Sequence, residues 1–300
     1  MMLLFAGVAE ARPATIRGIN WFGFETGFSS LMCTWDQPIE WHVDRMAEVN
    51  VNHVRLPFSL EFVQRGDFRN MDTFFEKSRS KGIKVLLDFH RLNSNAQSYR
   101  PMDDRYSFGD FLQGWETILN RYKDYENLDS VDIFNEYQGG SFEEWNHLAA
   151  ETVKFIESKF PNRFRYNVGG VNWGNDISGM NLDYLNLGDR LTYTFHKYHF
   201  SSGGSSPDAW RRNWDASIRY PVMVGEWGYK SDRGDEVQYA NEFVSYLIEK
   251  DIRDSYFWTW SPNSGDTGGL LLDDCRTVDQ NKMNLLNRLW FEEPKRYLRK

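Results

Sequence analysis

Two short apolar runs in this chain each end in a glutamate: Val131-Asp132-Ile133-Phe134-Asn135-Glu136 and Pro221-Val222-Met223-Val224-Gly225-Glu226. Both read as buried strands, rich in Val, Ile, Phe and Met and bounded by Gly or Pro. A carboxylate at the C-terminal tip of a buried parallel strand is poorly placed for stability and well placed for catalysis. Two such tips suggest facing carboxylates in a barrel mouth, the pair that serves as acid and nucleophile in glycosidic cleavage.

That chemistry requires elements that carry both tips to one mouth. Strand patterns fall over residues 16–21, 52–56, 83–89, 131–134, 163–168, 191–195, 222–225 and 256–260. Helical patterns fall between them, over 38–50, 71–81, 108–125, 141–160, 182–187, 207–217, 235–250 and 277–290. Ser141 with Glu144 predicts a capping box at the head of the fourth helix. Eight βα units in a chain of 300 residues predict an α/β fold, a (β/α)8 TIM barrel in a single domain. A doubly wound open sheet would alternate similarly, but the count of eight and the polar strand tips favour the barrel. Residues 15–300 form the expected barrel. Residues 1–14 read as a lead-in or the remnant of a secretion signal, with an apolar stretch and an Ala-x-Ala-like site at Ala9 to Ala11 but no basic start.

Composition narrows the function. Hydrophobic residues make up 41% and charged residues 26%, and no apolar run approaches the ~20 residues of a membrane helix. A net charge of −8 argues against a nucleic-acid partner. The chain holds 12 Trp, enough both to fill a core and to expose indoles as platforms for sugar rings. Two cysteines without a CxxC pattern argue against a zinc cluster.

The strand tips, read in order, are Asn20-Trp21, Arg55, His90, Asn135-Glu136, Asn172-Trp173, His196 with Tyr198 and His199, Glu226-Trp227, and Trp258 with Trp260. Each has a bland reading. Arg55 could be a structural ion pair, and His90 a satisfied core histidine. Asp88 and His90 share one side of a strand, so a metal-dependent hydrolase built on Asp88, His90 and His196 is an alternative. Ligand spacing is otherwise lacking, so neither metal nor cofactor is expected. Together, two glutamates flanked by Asn and aromatics point to carbohydrate chemistry.

Two longer stretches carry a resemblance. The run from Arg17 to Thr26 (RGINWFGFET) resembles the opening strand of glycoside hydrolase family five, in its bacterial endo-β-1,4-glucanase branch. The run from Phe257 to Leu271 (FWTWSPNSGDTGGLL) is similar to the same branch throughout. Between them Val54-Arg55-Leu56-Pro57, Asp88-Phe89-His90, Phe134-Asn135-Glu136 and Val224-Gly225-Glu226-Trp227 follow the family's order.

The resemblance implies a retaining, endo-acting hydrolase of β-1,4-glucan, with a β-glycanase acting on mannan, xyloglucan or mixed-linkage glucan as the alternative. A non-catalytic carbohydrate-binding barrel is a further reading, against which the intact glutamate pair argues. Glu136 would be the acid/base and Glu226 the nucleophile. Arg55 and Tyr198 would orient Glu226, Asn135 would bond the sugar 2-hydroxyl, and His90 and His196 would contact the sugar and the acid/base. Trp258 would floor the central subsite beside Trp260, with Trp21 and Trp173 as outer platforms. The expected partner is a polysaccharide, met outside the cell by a monomer without cofactor, nucleic acid or membrane. Two departures stand out. Tyr137 replaces the family's usual proline after the acid/base, which reshapes the leaving-group side. Cys275 stands where an aromatic is usual. Cys33 follows strand one and Cys275 follows strand eight, neighbours in a closed barrel, so a disulfide across the seam is expected.

Overall fold

The computed structural model describes residues 15–201, 206–214 and 221–292. The lead-in 1–14, residues 202–205 of the loop that follows Tyr198, and the end of the helix expected over 207–217 lie outside the described residues. The chain runs β1 (Arg17–Asn20), α1 (Ile39–Glu48), β2 (His53–Ser59), α2 (Leu60–Arg65), α3 (Arg69–Ser80), β3 (Lys84–Arg91), α4 (Phe108–Tyr122) and β4 (Leu128–Asp132). It continues through α5 (Phe142–Lys159), β5 (Arg165–Gly169), β6 (Leu191–Lys197), α6 (Pro207–Trp214), β7 (Val222–Trp227), α7 (Gly234–Glu249), β8 (Ser255–Phe257) and α8 (Gln280–Phe291). The eight strands are parallel and close in chain order, so the fold is a (β/α)8 barrel.

The seam joins β1 to β8 with Gly18 opposite Tyr256. A Cβ at Gly18 would lie 2.3 Å from the Tyr256 ring, so only glycine lets the two strands meet there. Leu86 of β3, Met223 of β7 and Tyr256 of β8 pack on one another as a small apolar cluster. The larger core lies between strands and helices and includes Val54, Leu56, Phe89, Val131, Phe195 and Val224.

The elements differ from the sequence pattern in instructive places. The crossover between β5 and β6 has two short 3-10 turns, Asp183–Leu185 and Gly188–Arg190, where a helix over 182–187 is expected. Asn186 at φ +52° and Gly188 at φ +60° interrupt it. An unanticipated single-turn helix, α2, is capped by Ser59, whose Oγ accepts from Phe62 N–H at 3.1 Å, and is ended by Gly66 at φ +70°. At α5 only half of the capping box forms. Ser141 Oγ accepts from Glu144 N–H at 3.1 Å, but the Glu144 carboxylate accepts instead from Arg100, at 2.9 Å. The fourth strand ends at Asp132 rather than Phe134, because its ladder to β3 and β5 stops there.

Register shifts gather at the mouth, one of them where Phe58 pairs with Phe89 but Ser59 with Arg91, leaving His90 as an extra residue in β3. Phe195 pairs with Val224, but His196 pairs with Glu226, so Gly225 is an extra residue in β7. The same stretch is irregular against β8. Among the described residues no helix is long and apolar enough to cross a membrane.

Candidate active site

Arg55 is fully buried and sits at the centre of the mouth. Its guanidinium donates to Glu226 Oε1 at 2.5 Å, Asp132 Oδ2 at 3.0 Å, Asn20 Oδ1 at 3.0 Å and Asn135 Oδ1 at 2.9 Å. Asp88 Oδ1 lies 3.1 Å from Nη2, the nitrogen that also donates to Asn135. One cation thus faces three carboxylates from β3, β4 and β7. Burial pushes Asp88 and Asp132 up to about 7 each, against the opposing pull of Arg55.

Glu226 reaches this group because of the bulge. Alternation from Met223 would turn Gly225 inward and Glu226 outward. The extra residue resets the alternation and sends Glu226 to Arg55. Gly225 also makes room, since a Cβ there would lie 2.8 Å from His196 Nε2. Tyr198 Oη donates to Glu226 Oε2 at 2.8 Å. Burial favours the neutral acid, yet His196, Arg55, His90 and the Tyr198 hydroxyl outweigh it and hold Glu226 at about 2.

Glu136 stands beyond the end of β4, with φ +48°, a left-handed conformation uncommon for a residue with a Cβ. Its Oε1 lies 3.0 Å from His196 Nδ1, which is 3.6 Å from Glu226 Oε2. Burial, and behind it the charge of Glu226, raise the Glu136 pKa against the hydrogen bond from His196. Burial opposes charge on His196, but Glu226 and Glu136 prevail and its pKa is raised. Each glutamate places an oxygen within 4.8 Å of the other's and of a His196 nitrogen. Two carboxyls of opposite shift share one histidine.

These groups open on a cleft of about 470 Å³ lined by His90, Glu136, Trp173, Tyr198, Glu226 and Trp258 among others. His90 stacks on Trp258 with centroids 5.6 Å apart, and Phe22 stacks at 5.8 Å. His90 Nδ1 is tied to Asp88 Oδ2 at 2.6 Å, and its Nε2 lies 3.4 Å from Asn135 Nδ2. Trp173 is half-buried and lines the same cleft, and its backbone N–H donates to the Tyr137 carbonyl at 3.3 Å.

Two expected platforms are not platforms. Trp21 is fully buried, with Nε1 donating to the Met32 carbonyl at 2.9 Å and its ring edge-on to Phe74. Trp260 is also fully buried, and its Nε1 donates to His42 Nδ1 at 3.1 Å. Both lie past the last paired residue of their strands, β1 and β8, where the two-residue alternation no longer decides direction. The substituted Tyr137 is buried too, stacked on Trp145 at 4.6 Å.

The trio of Asp88, His90 and His196 does not converge as a metal site. Asp88 and His90 group with Glu226, whereas His196 groups with Glu136 and Glu226. Asp88 and Glu226 already meet the Arg55 guanidinium, a poor neighbour for a further cation. The expected disulfide is present: Cys33 and Cys275 are bonded, with Cα atoms 5.7 Å apart. Several cleft residues are not singled out individually by the sequence: Arg91, Gln97, Asn175, Phe200 and Asp266 line it. Behind Arg91, at 3.6 Å, stands buried Glu25, which desolvation raises to about 7. An acid inside an apolar strand is the signal that would have found Asp132.

The chain is 28% identical to an endoglucanase of Paenibacillus polymyxa, over 93% of this chain and 84% of that protein. It is 27% identical to the major extracellular endoglucanase of Xanthomonas campestris pv. campestris, over 94% of this chain and 69% of that one. The fold superposes on the endocellulase of the archaeon Pyrococcus horikoshii with a TM-score of 0.83 at 26% identity, covering 93% of each chain. A variant of that endocellulase has been solved in complex with cellotetraose. The model of the cellulase family, glycosyl hydrolase family 5, matches residues 11–264, and the chain belongs to that family.

Proposed function

We propose that this glycoside hydrolase cleaves internal β-1,4 bonds of glucan chains by double displacement, with Glu226 as nucleophile and Glu136 as acid/base. The observation that carries the reading is the pair of carboxyls within 4.8 Å, one held ionised and the other raised. A gap of this order supports retention, since an inverting site keeps its carboxyls ~6.5–9.5 Å apart to admit a water. In the first step Glu226 attacks the anomeric carbon as Glu136 gives its proton to the leaving oxygen. In the second, Glu136 takes a proton from water, which displaces the sugar from Glu226.

Arg55 and Tyr198 aim the Glu226 carboxylate through both of its oxygens. Burial raises the Tyr198 pKa well above its ordinary value, so the phenol stays a donor. Arg55 occupies Asn135 Oδ1, which leaves the Asn135 amide to donate to the sugar 2-hydroxyl. His196 lies 3.0 Å from Glu136 and 3.6 Å from Glu226, and its charge favours the ionised form of both. Trp258 and His90 offer a stacked floor for the reacting sugar, and Trp173 a wall for the leaving group. A polymer cannot enter a cell, and a disulfide persists in oxidising surroundings, so the enzyme's place is outside the cell.

The test is reducing-sugar release from carboxymethylcellulose, glucomannan and xyloglucan with EDTA present, with NMR of the first-formed anomer. Release from carboxymethylcellulose with the β-anomer first is expected. Release only from glucomannan or xyloglucan would move the specificity, and the α-anomer first would overturn double displacement.

A further inference from the structure

The cleft does not end at Trp173. Its indole meets the Tyr99 ring edge-on, with centroids 5.1 Å apart and planes at 86°. Beyond lies a second cavity of about 280 Å³, bordered by Gln97, Tyr99, Arg100, Asp103 and Gln138. Gln97 borders both spaces. The volume lies just below the ~300–1,000 Å³ of small-molecule clefts, the scale of one sugar ring.

The wall between the two spaces is built rather than loose. Gln138 N–H donates to the Tyr99 carbonyl at 2.8 Å. Arg100 donates to the Gly139 carbonyl at 2.6 Å and to Glu144 at 2.9 Å. Yet the Tyr99 ring so held is 53% exposed. Gln97 Nε2 is buried and has no hydrogen-bond partner among the described residues, a donor left without an acceptor. Gln138 and Gly139 follow Glu136 closely in the chain, so the cavity lies on the side of the proton donor, where leaving-group sugars run.

We propose that Tyr99 and Gln97 form a further subsite for the leaving-group arm of the glucan, holding the glucosyl unit beyond the one against Trp173. The inference rests on Glu136 as the acid. The exposed Tyr99 face packs on the C–H face of the sugar, and Gln97 borders the passage between the two spaces. Arg100, Asp103 and Gln138 line the rim with polar groups.

The experiment compares wild type, Tyr99→Phe and Tyr99→Ala on cellotetraose, cellopentaose and cellohexaose, the last also labelled at its reducing end. Tyr99→Ala is expected to lower kcat/KM on cellohexaose by about 3- to 10-fold, the scale of one aromatic contact. Cellotetraose, which can also bind with a single unit on the leaving-group side, should lose less, Tyr99→Phe should behave as wild type, and the label should move into shorter products. An equal loss at every chain length would mean that Tyr99 only props Trp173, and no loss at any length would mean that the cavity takes no sugar. Either result overturns the proposal. If the substrate reading itself fails, wild type will cleave none of the three. Calorimetric titration with cellohexaose, which needs no turnover, then decides the subsite: weaker binding by Tyr99→Ala supports it, and equal binding overturns it.

Discussion

Glu226 and Glu136 face one cleft, but the barrel presents them by opposite devices. Glu226 lies within β7, turned inward by the extra residue Gly225 and gripped through both oxygens by Arg55 and Tyr198. Glu136 lies off the end of β4 in a left-handed conformation, with His196 at hydrogen-bond distance. The Glu136 side chain is 19% exposed and that of Glu226 5%. The difference teaches how one scaffold runs two proton affinities. A charge that must persist is fixed in a strand among cations and donors. A group that must gain and lose a proton stands on a turn, with water near and few fixed partners.

The strongest way to break this contrast is to remove each carboxylate in turn. Glu226→Ala should lower kcat by ~10⁴-fold or more with the fold intact by circular dichroism. Glu136→Ala should lose less on an aryl glucoside whose leaving group needs no proton, because general-acid catalysis contributes ~10²–10⁴-fold. Near-normal turnover of glucan by Glu226→Ala would refute the assignment.

Arg55→Met attacks the anchored half alone. It leaves three buried carboxylates without their cation, so denaturant unfolding at pH 7 should show a loss of about 3–5 kcal/mol. The sign with pH follows from the shifts. Asp88 and Asp132 have folded values raised to about 7, so their ionisation already weakens the fold as pH rises through 4 to 7. Glu226, held at about 2, stabilises above its unfolded value of 4.5 and loses part of that contribution without Arg55, which follows His196 among the groups that lower it. The deficit of the variant should therefore grow from pH 5 to pH 9, and a deficit independent of pH would contradict the cluster.

Cys33→Ser serves as the control, since it touches neither glutamate. The bond spans 242 residues of sequence, and its loss should cost ~2–4 kcal/mol, read as a fall in Tm with activity per folded molecule retained. The mildest perturbation is His196→Asn. His196 is the largest influence lowering Glu226 and also lowers Glu136. Both limbs of the pH profile should move to higher pH, by roughly one unit. Limbs that stay in place would remove His196 from the comparison.

Much of this was legible from residue patterns, for reasons that also mark where legibility ends. Apolar runs closed by Glu136 and Glu226 located the mouth, because a strand tip is where an acid survives next to a core. Cys33 and Cys275 could be paired because barrel closure makes the first and last strands neighbours. The bulge at Gly225 was not legible, since register is a property of two strands and the pattern of one does not contain it. Trp21 and Trp260 show the same limit: each lies just past a strand end, where the chain turns and periodicity stops assigning faces. Asp132 was visible within its run, but its partner Arg55 lies on another strand. The helix expected between β5 and β6 was pattern without length, and Asn186 and Gly188 unwound it.

The bond between Cys33 and Cys275 has a consequence for how long the protein lasts. A protease that cuts any loop between these residues leaves two fragments joined at the seam. Their strands remain paired, and the cleft, which draws on β2 through β8, can stay assembled around the nick. Circular permutants opened within that span would inherit the same tether. Durability under proteolytic attack is thus written into the closure of the barrel.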